Sequence, residues 1–329
     1  MSRLRVAVIQ GGPSSEAEVS RAGATCVASA LAEAEHQVAR IELDGYLAES
    51  LRSGGYEVVF PVVHGAVGED GALSGLLEVL EIPYVGSNVL ASALAMDKRL
   101  ARRLFELEGL PVAKGLALRR GDARELALRA RREIGPRVVI KPASHGSAIG
   151  VARFAEDAPA EQIARALEDV WAIDDVAIVE HFSRGREVTC GILDLHGREA
   201  RALPPTEIAS PKDAFYTYEA RYAPGRSVHT CPAELGELTQ EVQRVALLAH
   251  RALGCRDLSR VDFVVGDDAD AEKIALLEVN TMPGMTGTSL YPEEAAAAGL
   301  GFSALCAALV QSAHERGTPR RVAPRPLPR

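Results

Sequence analysis

The chain is poor in lysine, in aromatic residues and in closely spaced cysteines, and it has no long apolar run. Of its 37 basic residues only five are lysines: Lys98, Lys114, Lys141, Lys212 and Lys273. Each is therefore a candidate for a site that needs a compact point charge rather than a planar fork. The five cysteines, Cys26, Cys190, Cys231, Cys255 and Cys306, are odd in number, far apart and without a C-x-x-C pair. That excludes a disulfide framework and points to reduced thiols in the cytoplasm. No stretch reaches the roughly 20 apolar residues of a membrane span; the nearest, 295–310, is broken by glycines and a serine. The strand-like run at 4–9 starts too early to leave room for a signal peptide. There is no Walker phosphate loop, no complete G-x-G-x-x-G fingerprint and no kinase H-R-D set. A formal charge of −8 and a pI near 5.6 argue against a nucleic-acid partner or an anionic membrane surface.

What remains is a soluble globular chain of 329 residues, 47% hydrophobic and 25% charged, long enough for two or three domains. Its first region alternates strands (4–9, 38–43, 58–63) with helices (16–34, 71–80). This pattern predicts an α/β unit with a parallel sheet that binds ligands at the carboxyl ends of its strands. A helix over 89–107, a helix over 122–133 and strands at 138–141 and 176–180 follow. Strands at 187–193 and 199–203, a long irregular segment at 204–232 and a helix over 234–253 complete the pattern. So long a loop in a compact domain is usually functional. The Pro/Arg-rich end after Glu315 is predicted to be disordered.

The most informative stretch is an apolar run over 260–265, a polar turn, and a second apolar run over 274–280, which read together as a hairpin. Side chains alternate along a strand, so Arg260 and Asp262 share one face of the first run, and Glu278 and Asn280 one face of the second. A turn centred near Asp270 sets Asp262 roughly opposite Glu278. Two carboxylates and a carboxamide on a half-buried sheet suit a hard cation such as Mg2+; solvated charges on a surface-facing hairpin remain the alternative. The glycine- and hydroxyl-rich loop after Asn280 can approach an anion closely. Residues 138–141 form a strand ending in Lys141, and Ser144-His145-Gly146-Ser147-Ala148-Ile149-Gly150 then offers backbone N–H and hydroxyl donors for phosphate. A plain hairpin explains that loop equally well.

Arg260-x-Asp262, then Glu278-x-Asn280-Thr281-x-Pro283-Gly284-x-Thr286, resembles the metal-binding end of the ATP-grasp ligases, and the trailing Thr288-Ser289-Leu290 resembles their D-alanine–D-alanine ligase branch. The resemblance runs from about Arg5 to Val310. It implies a three-domain ATP-grasp ligase, α/β at its N-terminus and α+β in the ATP-grasp part. The domains would be a Rossmann-like one at 1–92, a central lobe at 93–181, a C-terminal lobe with the ω-loop at 182–315, and a tail at 316–329. The implied reaction joins two D-alanines at the expense of ATP through a D-alanyl phosphate, for peptidoglycan precursors. Two Mg2+ or Mn2+ ions on Asp262, Glu278 and Asn280 would assist it.

The same resemblance assigns Lys98, Lys141 and Ser147 to the ATP phosphates, Glu180, His181 and Phe182 to the adenine hinge, and Glu187 to the ribose. Glu16 would hold the first substrate's ammonium, with His64 beside that substrate. Ser147 and Tyr222 would join Glu16 in a hydrogen-bonded triad. Arg260 and the Gly284 N–H would form the oxyanion hole, and Ser289 and Leu290 would hold the second carboxylate. Arg221 stands where the family usually has lysine, Ala148 where a second serine is common, and Ala17 where arginine or histidine is common. Arg221 keeps a charge for phosphate or carboxylate but alters its geometry. A homodimer in the cytoplasm, with no nucleic-acid or membrane partner, is the implied state. The rivals are another ATP-grasp ligase, including one making D-alanyl-D-lactate or D-alanyl-D-serine, and a nucleotide-binding regulatory protein that has lost catalysis. Tyr222 argues against depsipeptide synthesis, and the intact Arg260, Asp262, Glu278 and Asn280 set against the second.

Overall fold

The computed structural model describes residues 3–209, 227–266 and 273–318. Strands β1 (Arg5–Gln10), β2 (Gln37–Glu42) and β3 (Val58–Pro61) form a parallel sheet in the order β2–β1–β3. The alternation of β1 decides how it is covered. Val6 and Val8 pack with Val27 and Leu31 of the helix Ala17–Glu33. Ala7 and Ile9 pack on the other face with Leu47, Leu51, Leu73 and Leu77, from the helices Leu47–Gly54 and Ala72–Val79. A central parallel strand buried on both faces is what an unbroken apolar run forms.

Strands β4 (Gly115–Arg119), β5 (Val138–Pro142), β6 (Ala152–Phe154) and β7 (Val176–His181) form an antiparallel sheet in the order β4–β7–β5–β6. It is backed by the helices Ala123–Ile134 and Ala160–Trp171. The third sheet holds β8 (Arg186–Asp194), β9 (Arg201–Ala202), β10 (Thr206–Ala209), β11 (Val228–Thr230), β12 (Asp257–Val265) and β13 (Ile274–Asn280). Its order is β11–β10–β8–β12–β13, with β9 on β8. The helix Leu238–Leu253 packs on it together with Ala91, Ala95, Ala101 and Phe105.

Several elements differ from the sequence expectation. The helix expected over 89–107 is two helices, Val89–Met96 and Lys98–Leu107, parted at Asp97. Asp97 is extended (φ −84°, ψ 93°), and its carboxylate accepts from the N–H groups of Arg99 and Leu100, so a side-chain cap overrides continuation. The first of these helices crosses the expected division at 92/93. The segment 204–232 is not wholly irregular, because β10 and β11 lie in its described parts. Arg316, expected in the tail, closes the helix Phe302–Arg316.

That last helix does not stay with its own sheet. Leu305, Leu309, Val310 and Ala313 pack into the core of the first sheet. A buried polar node holds the arrangement. Asp257 is fully buried and accepts from Gly86 N (2.8 Å), from Ser312 Oγ (3.0 Å) and from both guanidinium arms of Arg316 (2.5 and 2.8 Å). Replacing Asp257 by alanine leaves Arg316, only 16% exposed, without its counter-charge. Removing one partner of a buried pair costs about 3–5 kcal/mol. A urea midpoint for Asp257→Ala should fall accordingly; a loss below about 1 kcal/mol would show that the node does not hold the first sheet to the third.

Candidate active site

The β12–β13 ladder pairs Arg260 with Asn280 and Asp262 with Glu278, with a bulge between Asp262 and Phe263. The register expected from sequence is the register observed. Arg260 forks onto Asp262, with Nε and Nη2 each 2.8 Å from a carboxylate oxygen. Thr189, opposite Asp262 on β8, donates its hydroxyl to the same carboxylate at 2.8 Å. Glu278 receives Lys98 Nζ at 3.1 Å, and that ammonium also donates to the carbonyl of His145 at 2.7 Å. The break at Asp97 makes Lys98 the first residue of its helix, which is how it comes to face the cleft. Asn280 Oδ1 accepts from Met282 N at 2.9 Å and holds the start of the glycine-rich loop.

Beside the hairpin lies a cavity of about 530 Å³ bordered by Glu16, His64, Ser147, Arg260, Gly284 and Ser289. Ser147 donates to Glu16 at 2.6 Å across 131 residues of sequence, joining the phosphate-type loop to the first sheet. Asp174 secures that loop, accepting from Ser144 N and Ser144 Oγ, both at 2.8 Å. His64 is buried, and burial lowers its imidazole pKa despite the nearby Glu16 carboxylate. Glu69 takes the Gly65 N–H at 2.5 Å, and burial beside Glu16 and Glu278 pushes its carboxyl up to about 8. A Cβ on Gly284 would meet Ser289 Oγ at 2.8 Å, so any larger residue there must displace that hydroxyl. Ser289 occupies the N-cap position of the helix that begins at Leu290, while its hydroxyl accepts from Thr286 N at 2.9 Å.

A smaller cavity of about 120 Å³ adjoins the first and shares Lys98, Arg260, Glu278 and Leu290 with it. Lys141, His181 and Phe182 border it. Glu180, only 4% exposed, lies between Lys141 Nζ (2.7 Å) and Arg102 Nη1 (2.5 Å). Burial alone would raise the Glu180 carboxyl, but Lys141 and Arg102 outweigh it and hold the group below the usual carboxylate range. Glu187 pairs with Arg153 at 3.0 Å, and the Arg153 guanidinium sits 4.9 Å over the Phe182 ring.

Every expected site residue among the described ones therefore borders one of two connected cavities. Tyr222 and Arg221 lie outside the described residues. Sequence reasoning missed Glu69, Arg102, Arg153 and Thr189. Arg102 had a usable signal, being one helical turn beyond Lys98 and so on the same helix face. Arg153 and Thr189 had none, because their partners come from strands paired only in the fold.

The D-ala D-ala ligase C-terminus model matches residues 104–311, and the N-terminus model of the same ligase matches 46–87. The chain belongs to the D-alanine–D-alanine ligase family. It is 45% identical to the D-alanine–D-alanine ligase of Xanthobacter autotrophicus over 314 residues, covering 94% of this chain and 97% of that protein. It is 41% identical to that of Methylocella silvestris over 313 residues, with 94% and 97% covered. Among solved structures it resembles the Coxiella burnetii ligase, with a TM-score of 0.79, 28% identity and 95% and 96% of the chains covered. It also resembles the Bacillus anthracis ligase complexed with ATP, with a TM-score of 0.78, 28% identity and 95% and 98% covered. The two antiparallel sheets are thus those of an ATP-grasp ligase behind a parallel-sheet domain.

The raised Glu69 carboxyl makes stability depend on pH. Between an ordinary carboxylate value and about 8, the folded state binds the proton that the unfolded state has released, so stability falls as pH rises through that window. In metal-free protein, Glu69→Gln should flatten the dependence of Tm on pH between 5 and 9. A slope equal to the parent's would place the titrating group elsewhere.

Proposed function

We propose that the cleft makes D-alanyl-D-alanine from two D-alanines and ATP through a D-alanyl phosphate, releasing ADP and phosphate, as a step toward peptidoglycan precursors. Family membership makes the chain an ATP-dependent D-alanine–D-alanine ligase. The observation that carries the route is that the two cavities meet at Lys98, Arg260 and Glu278. A phosphoryl group can therefore pass from a nucleotide in the smaller cavity to a carboxylate in the larger one. The first D-alanine's carboxylate oxygen bonds to the γ-phosphorus as ADP leaves. The second D-alanine's amine then attacks the acyl carbon, loses a proton, and the bond to phosphate breaks.

The residues take the following parts in this reading. Glu16 holds the first ammonium beside His64, and Ser147, joined to Glu16, sits under the phosphates with Lys98 and Lys141. Glu180, His181 and Phe182 take adenine, and Glu187 takes ribose. Arg260 and the Gly284 N–H face the oxyanion, and preorganised donors of this kind contribute most where charge develops. Ser289, with Leu290 starting the helix behind it, receives the second carboxylate. Tyr222 completes the triad and Arg221 supplies charge from the ω-loop, which would close the site and keep water from the acyl phosphate.

Among the described residues no three His, Cys, Asp or Glu side chains are grouped to hold a metal by themselves. Asp262, Glu278 and Asn280 form an all-oxygen set that fits Mg2+ or Mn2+, whose shell substrate phosphates would complete. Two such ions would neutralise phosphate charge and polarise the transferred group. No single helix among the described residues is long and apolar enough to cross a membrane. A cytoplasmic homodimer without nucleic-acid or membrane partners, divided into domains near 92/93 and 181/182, completes the proposal.

An ADP-release assay across D-alanine, L-alanine and D-lactate tests it. Turnover should require D-alanine, and mass spectrometry should find ADP and the dipeptide; AMP, or ADP independent of D-alanine, would refute the reading. Glu278→Gln should lower turnover by about 10²–10³, the usual loss for one contact to developing charge. Near-parental turnover at limiting Mg2+ would remove the hairpin from the metal site.

A further inference from the structure

Arg102 has no part in the route above, yet its surroundings are those of a built site rather than of a surface charge. It lies on the helix Lys98–Leu107, four residues after Lys98, so the two cations share one face of that helix. Lys98 reaches Glu278 at the phosphate end, and Arg102 reaches Glu180 at the other. The Arg102 side chain is 8% exposed. Its Nη2 donates to the Ala113 carbonyl at 2.6 Å and approaches Glu106 at 3.4 Å. Room for the fork depends on Gly115, where a Cβ would lie 2.8 Å from Nη2. Two arms fixed on different partners leave the guanidinium no second position, unlike the single-point ammonium of Lys141.

We propose that Arg102 is the positioning residue for nucleotide-base selection: it holds Glu180 as an oriented anion, so that the smaller cavity takes a purine bearing an amino group at position 6 and rejects one bearing oxygen there. The inference rests on the reading of that cavity as the ATP site. Its physical basis is a conflict over Lys141. That ammonium sits on Glu180 at 2.7 Å, yet the same group is needed for the phosphates. When Lys141 turns to them, Glu180 keeps a counter-charge only through Arg102. An anionic carboxylate accepts hydrogen bonds and cannot donate, so it favours an amino group and repels a carbonyl oxygen. Without Arg102 the buried carboxyl takes up a proton more readily. A neutral carboxyl both donates and accepts, and the distinction between the two bases fades.

The test compares ATP with ITP on the full-length protein. Affinity for each is measured by calorimetric titration without D-alanine, and KM and kcat are measured with it. Arg102→Met should weaken ATP binding by about tenfold or more, the scale for a buried charged hydrogen bond losing its partner. It should also shrink the ATP-to-ITP ratio by a similar factor, while kcat at saturating ATP changes much less than KM. Arg102→Lys keeps the charge and should retain most of the ratio. Should Arg102→Met fail to fold, Arg102→Gln, which preserves a donor for the Ala113 carbonyl, should show the same collapse. A parental ATP-to-ITP ratio in the Met or Gln variant would overturn the proposal, as would equal collapse in Arg102→Lys and Arg102→Met. Loss of D-alanine-dependent ADP release in the parent with base discrimination intact would count against the ligase reading alone.

Discussion

The structure depends on pairing carboxylates with cations inside a cleft that would otherwise be costly to desolvate. Lys98 with Glu278, Lys141 and Arg102 with Glu180, and Arg260 with Asp262 each bring together charges that water would normally shield. A site that must hold a triphosphate beside a carboxylate needs strong positive charge, and a fold without ligand must not leave that charge bare. Pairing solves both problems, provided the partners can be exchanged. Lysine can let go more easily than a forked arginine. The lysines are on Glu278, assigned to metal, and on Glu180, assigned to adenine, while Arg260 forks onto Asp262 within one strand, β12.

Three local devices aim these pairs. The cap at Asp97 breaks a helix and presents Lys98 to Glu278. The bulge after Asp262 restarts the β12–β13 register just beyond the Asp262–Glu278 pair. The polar node around Asp257 ties Gly86 and the last helix to the third sheet, so that the cavity wall bearing Glu16 and His64 keeps its distance from the wall bearing Arg260 and Ser289.

How much of this was legible beforehand follows from how local each signal is. The hairpin could be read because alternation and turn position are short-range properties, and its register came out as expected. The parallel sheet was legible from the alternation of strands and helices along the first region. The break at Asp97 was not, because apolar spacing continues through it and only the capping geometry reveals the stop. Arg316 looked like the start of a polar tail, since its partner Asp257 lies 59 residues away. Glu69, five residues after His64, carried no local signal, because burial and the carboxylates of Glu16 and Glu278, which raise its pKa, come from the fold and from distant segments.

In the proposed reaction, Lys98 holds the place of cationic ligand charge on Glu278 until nucleotide and metal arrive. Mn2+ titration of nucleotide-free protein, followed by electron paramagnetic resonance, tests it most directly in parent and Lys98→Met. Removing the resident ammonium should take away a competitor for Glu278 and tighten Mn2+ binding by a factor on the order of ten, about 1.4 kcal/mol. Equal or weaker Mn2+ binding in Lys98→Met would contradict the claim.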